Sequence, residues 1–165
     1  GLLATSISEH DITFKWPNDV LLCGKKVCGI LLESGSWETV DQKWLVLGCG
    51  INLAHSPAET RIPATSIKEY ATIMPGVEEA LESYAAHLFN WMQRWQREGF
   101  QAIRQAWLEK AADLDSFINV DLGERRLTGI FKGLNSHGAL ELETENGVRT
   151  ICAGDVYFLP VKGLA

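Results

Sequence analysis

The pattern of apolar residues changes near residues 113–116, and this change constrains the fold more than any other feature of the chain. Strand-like apolar runs occupy residues 11–14, 20–23, 27–33 and 43–53. Apolar residues at helical spacing follow these runs. After the change, short apolar runs separated by turn residues predict five short strands. We therefore expect an α+β fold, with a sheet and packed helices over residues 1–114 and a small SH3-like β-barrel over residues 115–165.

Two helices are predicted between the strand-rich segment and the barrel. The apolar face of the first recurs at helical spacing and comprises Val77, Leu81, Tyr84, Leu88, Met92 and Trp95. Gly99 is expected to end this helix, and a second helix over residues 100–112 completes a helical hairpin. We expect Trp91, Trp95 and Trp107 to pack in the core rather than to stack on a ligand.

The charge and the cysteines exclude several classes of protein. The net charge is -6, and no basic cluster is present, which argues against a nucleic-acid-binding face. The four cysteines lack the paired short spacing of zinc ligands and are expected to be small buried residues in a reducing compartment. No apolar run approaches a membrane span, and the start at Gly1 lacks the basic flank of a signal peptide. These features predict a cytoplasmic protein.

The first cluster of polar residues that can carry chemistry lies at a predicted turn over residues 15–19, Lys-Trp-Pro-Asn-Asp. Proline fixes the backbone there, Asn18 both donates and accepts hydrogen bonds, and Asp19 is a ligand type that Mg²⁺ prefers. From the residue chemistry alone, an ordinary capped turn is the alternative.

Glycines inside two predicted strands mark a second candidate region. Gly29 follows the hairpin lysines Lys25 and Lys26, so a ligand lying against the strand could have its phosphate neutralised by a lysine; two solvated turn lysines are the alternative. Gly48 and Gly50 lie in a later apolar strand, without the helix of a dinucleotide fingerprint. Motifs of phosphate loops, serine hydrolases and HExxH metalloproteases are absent from the sequence.

Three motifs, taken in order, resemble the signatures of biotin protein ligases. They are KWPNDV at residues 15–20, KVCGILLE at residues 26–33 and GCGINL at residues 48–53. The intervals between them fit that family, and the two predicted helices and the β-rich tail, with GALEL and AGDV, resemble the rest of its catalytic and carboxy-terminal domains. The resemblance covers essentially the whole chain. It implies the mixed sheet of the biotin/lipoate ligase type.

The resemblance implies a two-step reaction with ATP and Mg²⁺. Biotin forms biotinyl-5′-AMP, and a lysine of a biotin carboxyl carrier protein, such as an acetyl-CoA carboxylase subunit, then captures the acyl group. Lys26 matches the family's catalytic lysine, Asn18 would contact the acyl-phosphate junction, Asp19 would position magnesium, and Asn52 would hydrogen-bond near the adenylate phosphate. The biotin slot would be lined by Gly29, Ile30, Gly48 and Gly50. Trp16 would support the turn rather than touch ligand.

One family element is not found in this sequence. The glycine-arginine loop GRGRxGR, which closes over biotin and the adenylate, is expected upstream of Gly1, so we expect a truncated or cleaved chain that is weakly active or inactive alone. The alternatives are a lipoate or octanoate ligase, which shares the fold and the lysine, and a non-catalytic ligase-like binding module. The sequence indicates neither nucleic-acid nor membrane partners, and it leaves homodimerisation open.

Overall fold

The computed structural model describes residue 7 and residues 11–36, 43–60, 62–123 and 125–158. The sequence of the first ten residues is typical of the end of a helix, but all of them except Ile7 lie outside the described residues. Contacts between Cα atoms divide the chain into two units, one comprising Gly1–Thr13 and Asn18–Ala80 and the other Phe14–Pro17 and Leu81–Ala165. Within the described residues, no helix is long and apolar enough to cross a membrane.

The first sheet has four strands in the order β1-β2-β3-β4. Their bounds are Ile12–Lys15 for β1, Asp19–Leu22 for β2, Lys25–Ser36 for β3 and Lys43–Ile51 for β4. Strands β2 and β3 form a hairpin whose two turn residues, Cys23 and Gly24, both have positive φ, at 50° and 75°. Such a turn matches the twist of antiparallel strands. The hairpin therefore sets Asp19 opposite Gly29.

One face of this sheet is buried by apolar side chains of the first unit. Leu22, Val27, Cys28 and Ile67 form the buried cluster. Ile67 belongs to a short 3₁₀ helix, Ile67–Glu69, whose first turn is closed by a reciprocal capping box between Ser66 and Glu69. The segment after β4 is thereby anchored against the sheet.

Two helices follow, as predicted, α1 over Val77–Glu98 and α2 over Phe100–Leu108. The expectation that both pack through an apolar face is right for α2, where Trp107 packs against the core and lies 6.2 Å from Phe14, ring centroid to ring centroid. It is wrong for α1. The exposed side chains of α1 include Val77, Leu81, Phe89, Trp91, Met92 and Trp95, because no element among the described residues covers that face.

The second sheet contains the five strands predicted after residue 116. They are β5 (Phe117–Asp121), β6 (Arg126–Leu134), β7 (Leu140–Thr144), β8 (Gly147–Ile151) and β9 (Asp155–Phe158). All pairings are antiparallel, in the order β8-β7-β6-β5-β9. Alternate residues point inward and build the core of the second unit, which includes Ile118, Val120, Phe131, Leu140 and Leu142.

Candidate active site

The tryptophan of the first motif is a structural residue. Trp16 is only 6% exposed and belongs to the buried cluster of the second unit. Its indole Nε1 donates a hydrogen bond to the carbonyl of Gly138, 3.2 Å away. Lys15 is also buried, at 4% exposure. The geometry of Trp16 agrees with a role in supporting the turn.

The two polar residues that follow reach strand β3. The side-chain amide of Asn18 donates to the carbonyl of Ile30 at 2.6 Å, and the N–H of Ile30 donates to the carbonyl of Asn18 at 2.9 Å. Asp19 is buried and forms an ion pair with Lys26, with 2.5 Å between Nζ and Oδ1. The sheet therefore brings three predicted site residues together, Asn18, Asp19 and Lys26.

The Lys26 side chain crosses the strand at Gly29. A Cβ on Gly29 would lie 3.1 Å from Lys26 Nζ and 3.6 Å from Asp19 Oδ1, closer to the ammonium than side-chain contacts normally allow. Glycine at this position therefore leaves room for the lysine. The Lys26 side chain is 38% exposed, whereas that of Asp19 is 7% exposed, so the ammonium is accessible and its counter-charge is not.

The glycines of β3 and β4 share one face of the sheet. Gly29 pairs with Gly50, and Leu31 pairs with Gly48. Because successive side chains alternate between faces, Gly29, Gly48 and Gly50 lie on the same face, and Ile30 points to the other. The side chain of Ile30 accordingly packs against the buried cluster of the first unit, and Ile30 meets Asn18 through its backbone N–H and carbonyl.

The opposite face holds two neighbouring thiols. Cys28 Sγ and Cys49 Sγ are 3.5 Å apart. Burial raises the pKa of the Cys28 thiol to about 12, and the hydrogen bond with Cys49 adds to the shift. Cys28 therefore remains a neutral thiol at physiological pH, in agreement with a structural role. All four cysteines are free, but Cys23 and Cys152 are exposed, so the expectation of burial is wrong for those two.

The side chain of Asn52 bonds a segment that runs beside Lys26. Its side-chain amide donates to the carbonyl of Thr65 at 3.0 Å. Residues 63–65 run beside Lys26, with Ala64 forming an isolated bridge to it. Sequence reasoning missed this segment. The only local signal is the S-x-x-E pattern of Ser66 and Glu69, which marks a helix start but not its neighbour in space.

This site has the chemistry of a small-acid or anion site rather than of a hydrolase or a closed zinc centre. An accessible ammonium lies at a strand face that glycines leave open. Among the described residues, no three His, Cys, Asp or Glu side chains cluster to hold a metal ion. A lysine of this kind favours charge that develops on a phosphate or an acyl phosphate.

Family models agree with that class. The model described as the Biotin/lipoate A/B protein ligase family matches residues 2–109, and that of the Biotin protein ligase C terminal domain matches residues 114–159. The chain belongs to the biotin/lipoate A/B protein ligase family. The resemblance seen in the three motifs is thus confirmed, and so is the fold class of a ligase-type sheet followed by an SH3-like domain.

Individual relatives are consistent with this family. A biotin–[acetyl-CoA-carboxylase] ligase of Paracoccus denitrificans is 38% identical over 153 residues, which cover 89% of this chain and 63% of the relative. The bifunctional ligase/repressor BirA of Escherichia coli is 29% identical, with coverage of 91% and 47%. The biotin protein ligase of Aquifex aeolicus solved with biotin and ATP has a TM-score of 0.73 at 28% identity, with coverage of 88% and 61%. The chain thus spans less than two thirds of these proteins.

Proposed function

We propose that this chain contributes part of the active site of an ATP-dependent biotin protein ligase acting in the cytoplasm. In the first step a carboxylate oxygen of biotin attacks the α-phosphorus of ATP, biotinyl-5′-AMP forms and pyrophosphate leaves. In the second, the amine of a carrier-protein lysine attacks the acyl carbon, an amide forms and AMP leaves. The carrier is a biotin carboxyl carrier protein. Support comes from the family, its ligase relatives and the Aquifex complex with biotin and ATP.

The observation that carries the proposal is the accessible Lys26 ammonium beside Gly29. Both steps develop negative charge on the α-phosphate or on an oxygen bound to it. A fixed cation at that point stabilises each transition state more than the ground state. The buried Asp19 carboxylate holds Lys26 in place until a phosphate competes for the ammonium.

The glycine face offers a place for biotin. Among the described residues, a Cβ at Gly48 or Gly50 would meet no atom closer than 3.8 Å, so this part of the chain leaves space above both glycines. A flat, uncharged ring system can lie against such bare backbone. The side-chain amide of Asn18 bonds the carbonyl of Ile30, the residue next to Gly29. In this proposal Gly29, Gly48 and Gly50 line the slot, whereas Ile30 contributes only its backbone, because its side chain packs on the opposite face.

Magnesium fits this site only together with nucleotide phosphates. Asp19 supplies one carboxylate, and one of its oxygens already bonds Lys26. Mg²⁺ commonly binds through one or two carboxylates with substrate phosphates and waters completing the octahedron. Asp19 is therefore the residue that would hold it, and the ion would supply further neutralisation of the phosphates.

The proposal is tested by exchange of labelled pyrophosphate into ATP, with biotin, lipoate or octanoate as the acid. Two proteins are assayed: the 165-residue chain, and a chimaera that joins it to the part of the Paracoccus relative that it does not match. We expect exchange with biotin alone, strongest in the chimaera. Exchange with lipoate or octanoate would instead identify the other branch of the family, and none with any acid would favour a non-catalytic binding module.

A further inference from the structure

Asn52 ties together three segments of the first unit. Its backbone N–H donates to the carbonyl of Val27 at 2.9 Å, and its backbone carbonyl accepts from the N–H of Ile67 at 2.9 Å. Its side-chain Nδ2 donates to the carbonyl of Thr65 at 3.0 Å. Asn52 therefore joins the end of β4 to strand β3 and to the segment that leads into the 3₁₀ helix.

That same segment holds the backbone of Lys26 from both sides. The N–H of Lys26 donates to the carbonyl of Pro63 at 2.8 Å, and its carbonyl accepts from the N–H of Thr65 at 2.9 Å. Thr65 is completely buried, so water cannot replace a lost partner there. The side chain of Asn52 thus bonds the carbonyl of Thr65, and the N–H of Thr65 bonds the carbonyl of Lys26.

The side chain and the backbone of Lys26 are held by different groups. Its Nζ is 2.5 Å from Asp19 Oδ1, whereas its backbone bonds Pro63 and Thr65. Lys26 also lies beside the register shift in the pairing of β2 with β3, where the regular hydrogen bonds between the two strands are interrupted. The segment 63–65 therefore supplies a constraint that the hairpin alone does not.

We propose that Asn52 is a positioning residue for Lys26, acting through the backbone of Thr65, rather than only a phosphate contact as its motif suggests. The catalytic consequence rests on the proposed function, because it assumes that Lys26 acts on the adenylate. The link between Asn52 and the Lys26 backbone does not. In support of the link, the amide of Asn52 is directed at a buried protein carbonyl.

The test substitutions are chosen because the side-chain Nδ2 of Asn52 is the hydrogen-bond donor to Thr65. Asn52→Asp keeps the shape of the side chain but sets an oxygen against the Thr65 carbonyl, and Asn52→Leu removes both polar atoms. Thr65→Val removes a buried hydroxyl that has no hydrogen-bond partner among the described residues and keeps the carbonyl that Asn52 uses. Asn119→Asp in the second unit is the matched control, since its Oδ1 still accepts from Thr128.

The first readout is hydrogen exchange at the backbone amides of Lys26 and Thr65 in the full 165-residue chain. We expect protection of both amides to fall at least tenfold in the Asn52 variants and to be retained in Thr65→Val and Asn119→Asp. Amides of the second unit, such as Leu142, should keep their protection, which shows that the chain still folds. Unchanged protection of Lys26 and Thr65 in both Asn52 variants would overturn the proposal.

The second readout is biotin-dependent pyrophosphate exchange in the active form, chain or chimaera. We expect kcat to fall on the order of a hundredfold in Asn52→Asp, as for a small misplacement of a catalytic group, with KM for biotin within about threefold and Asn119→Asp unchanged. A rise in KM alone, with the Lys26 amide still protected, would make Asn52 a ligand contact and overturn the proposal. If the unsubstituted protein shows no exchange, the proposed function fails, and the amide protection still decides the link to Lys26.

Discussion

At the scale of single residues, the ion pair of Asp19 with Lys26 combines stability with the proposed chemistry. Lys26→Met leaves a buried carboxylate without this partner, and we expect it to lower the free energy of unfolding by roughly 1–3 kcal/mol. Asp19→Asn combined with Lys26→Met removes both charges and should recover most of that loss. Pyrophosphate exchange should remain about 10²–10³-fold reduced in both variants.

Urea unfolding and the exchange assay separate these two effects. If the double variant regained activity along with stability, Lys26 would have no direct part in the chemistry. If Lys26→Met unfolded at the same urea concentration as the unsubstituted chain, the ion pair would be irrelevant to stability.

The Cys28 thiol predicts a pH dependence of stability. Its pKa in the folded chain is about 12, against 9.0 for an ordinary thiol. Between these values the folded chain keeps a proton that the unfolded chain has released, so the stabilisation is complete below about pH 9 and is lost as the pH rises through 12. The free energy of unfolding should fall by at most about 1.4 kcal/mol per pH unit in that window.

Denaturation at a series of pH values from about 8.5 to about 11 measures the slope of the free energy of unfolding against pH. Cys28→Ala should flatten it, because no thiol remains there to titrate. The exposed Cys23 provides the control, and Cys23→Ala should keep the slope of the unsubstituted chain. Equal slopes in all three proteins would contradict the assignment to Cys28.

Residue chemistry and family motifs predicted Asn18, Asp19 and Lys26 as site residues, and the structure brings these three together. The partners of Asn52 were not predictable. Between Lys26 and Thr65 the chain completes β3, forms β4 and then runs through an irregular segment, and nothing in the sequence around Thr65 indicates which strand it borders. Such contacts depend on how the loop returns to the sheet.

At the scale of secondary-structure elements, the two glycines that pair across β3 and β4 should respond differently to alanine. Gly29→Ala places a Cβ against the Lys26 ammonium and should displace it, which lowers the exchange rate. Among the described residues, the added Cβ of Gly50→Ala meets only the Gly29 carbonyl, at 3.9 Å, so stability should change little, by less than about 1 kcal/mol. If biotin lies on this face, the added methyl should weaken its binding.

Isothermal titration with biotin and urea unfolding of each variant test this difference. Unchanged biotin affinity in Gly50→Ala would place biotin elsewhere. Gly76→Ala adds a methyl with no atom of the described residues within 4 Å and serves as the control for the general effect of the substitution.

The elements themselves were largely predictable, because apolar spacing and turn residues are local signals. Predicted strands and helices agree with β1–β9, α1 and α2, although α2 ends at Leu108 rather than near residue 112. The exposure of the apolar face of α1 was not predictable. An apolar stripe predicts that a helix face will be covered, but it does not identify the covering element, and among the described residues none covers Trp91 or Trp95.

At the scale of the whole molecule, apolar side chains remain exposed in both units. On β3 and β4 they include Leu31, Leu32, Leu45, Val46 and Ile51, and on α1 they include Leu81, Phe89, Trp91 and Trp95. Monomeric proteins rarely expose large contiguous apolar surfaces. The chain also covers only 63% of its Paracoccus relative, so part of that protein has no counterpart in this chain.

We therefore expect the 165-residue chain to bind the dye 1-anilinonaphthalene-8-sulfonate and to self-associate with rising concentration, because water is released when these side chains are covered. In the chimaera, the added residues should cover the same side chains, so dye fluorescence should fall and sedimentation should become less dependent on concentration. Replacing Leu81 and Trp95 by Gln should reduce dye binding by the chain without changing the core of the second unit, since both side chains are more than half exposed. A chain that binds no dye and stays monomeric would show that these faces are covered by residues of the chain itself, and the chimaera would then gain nothing from the added segment.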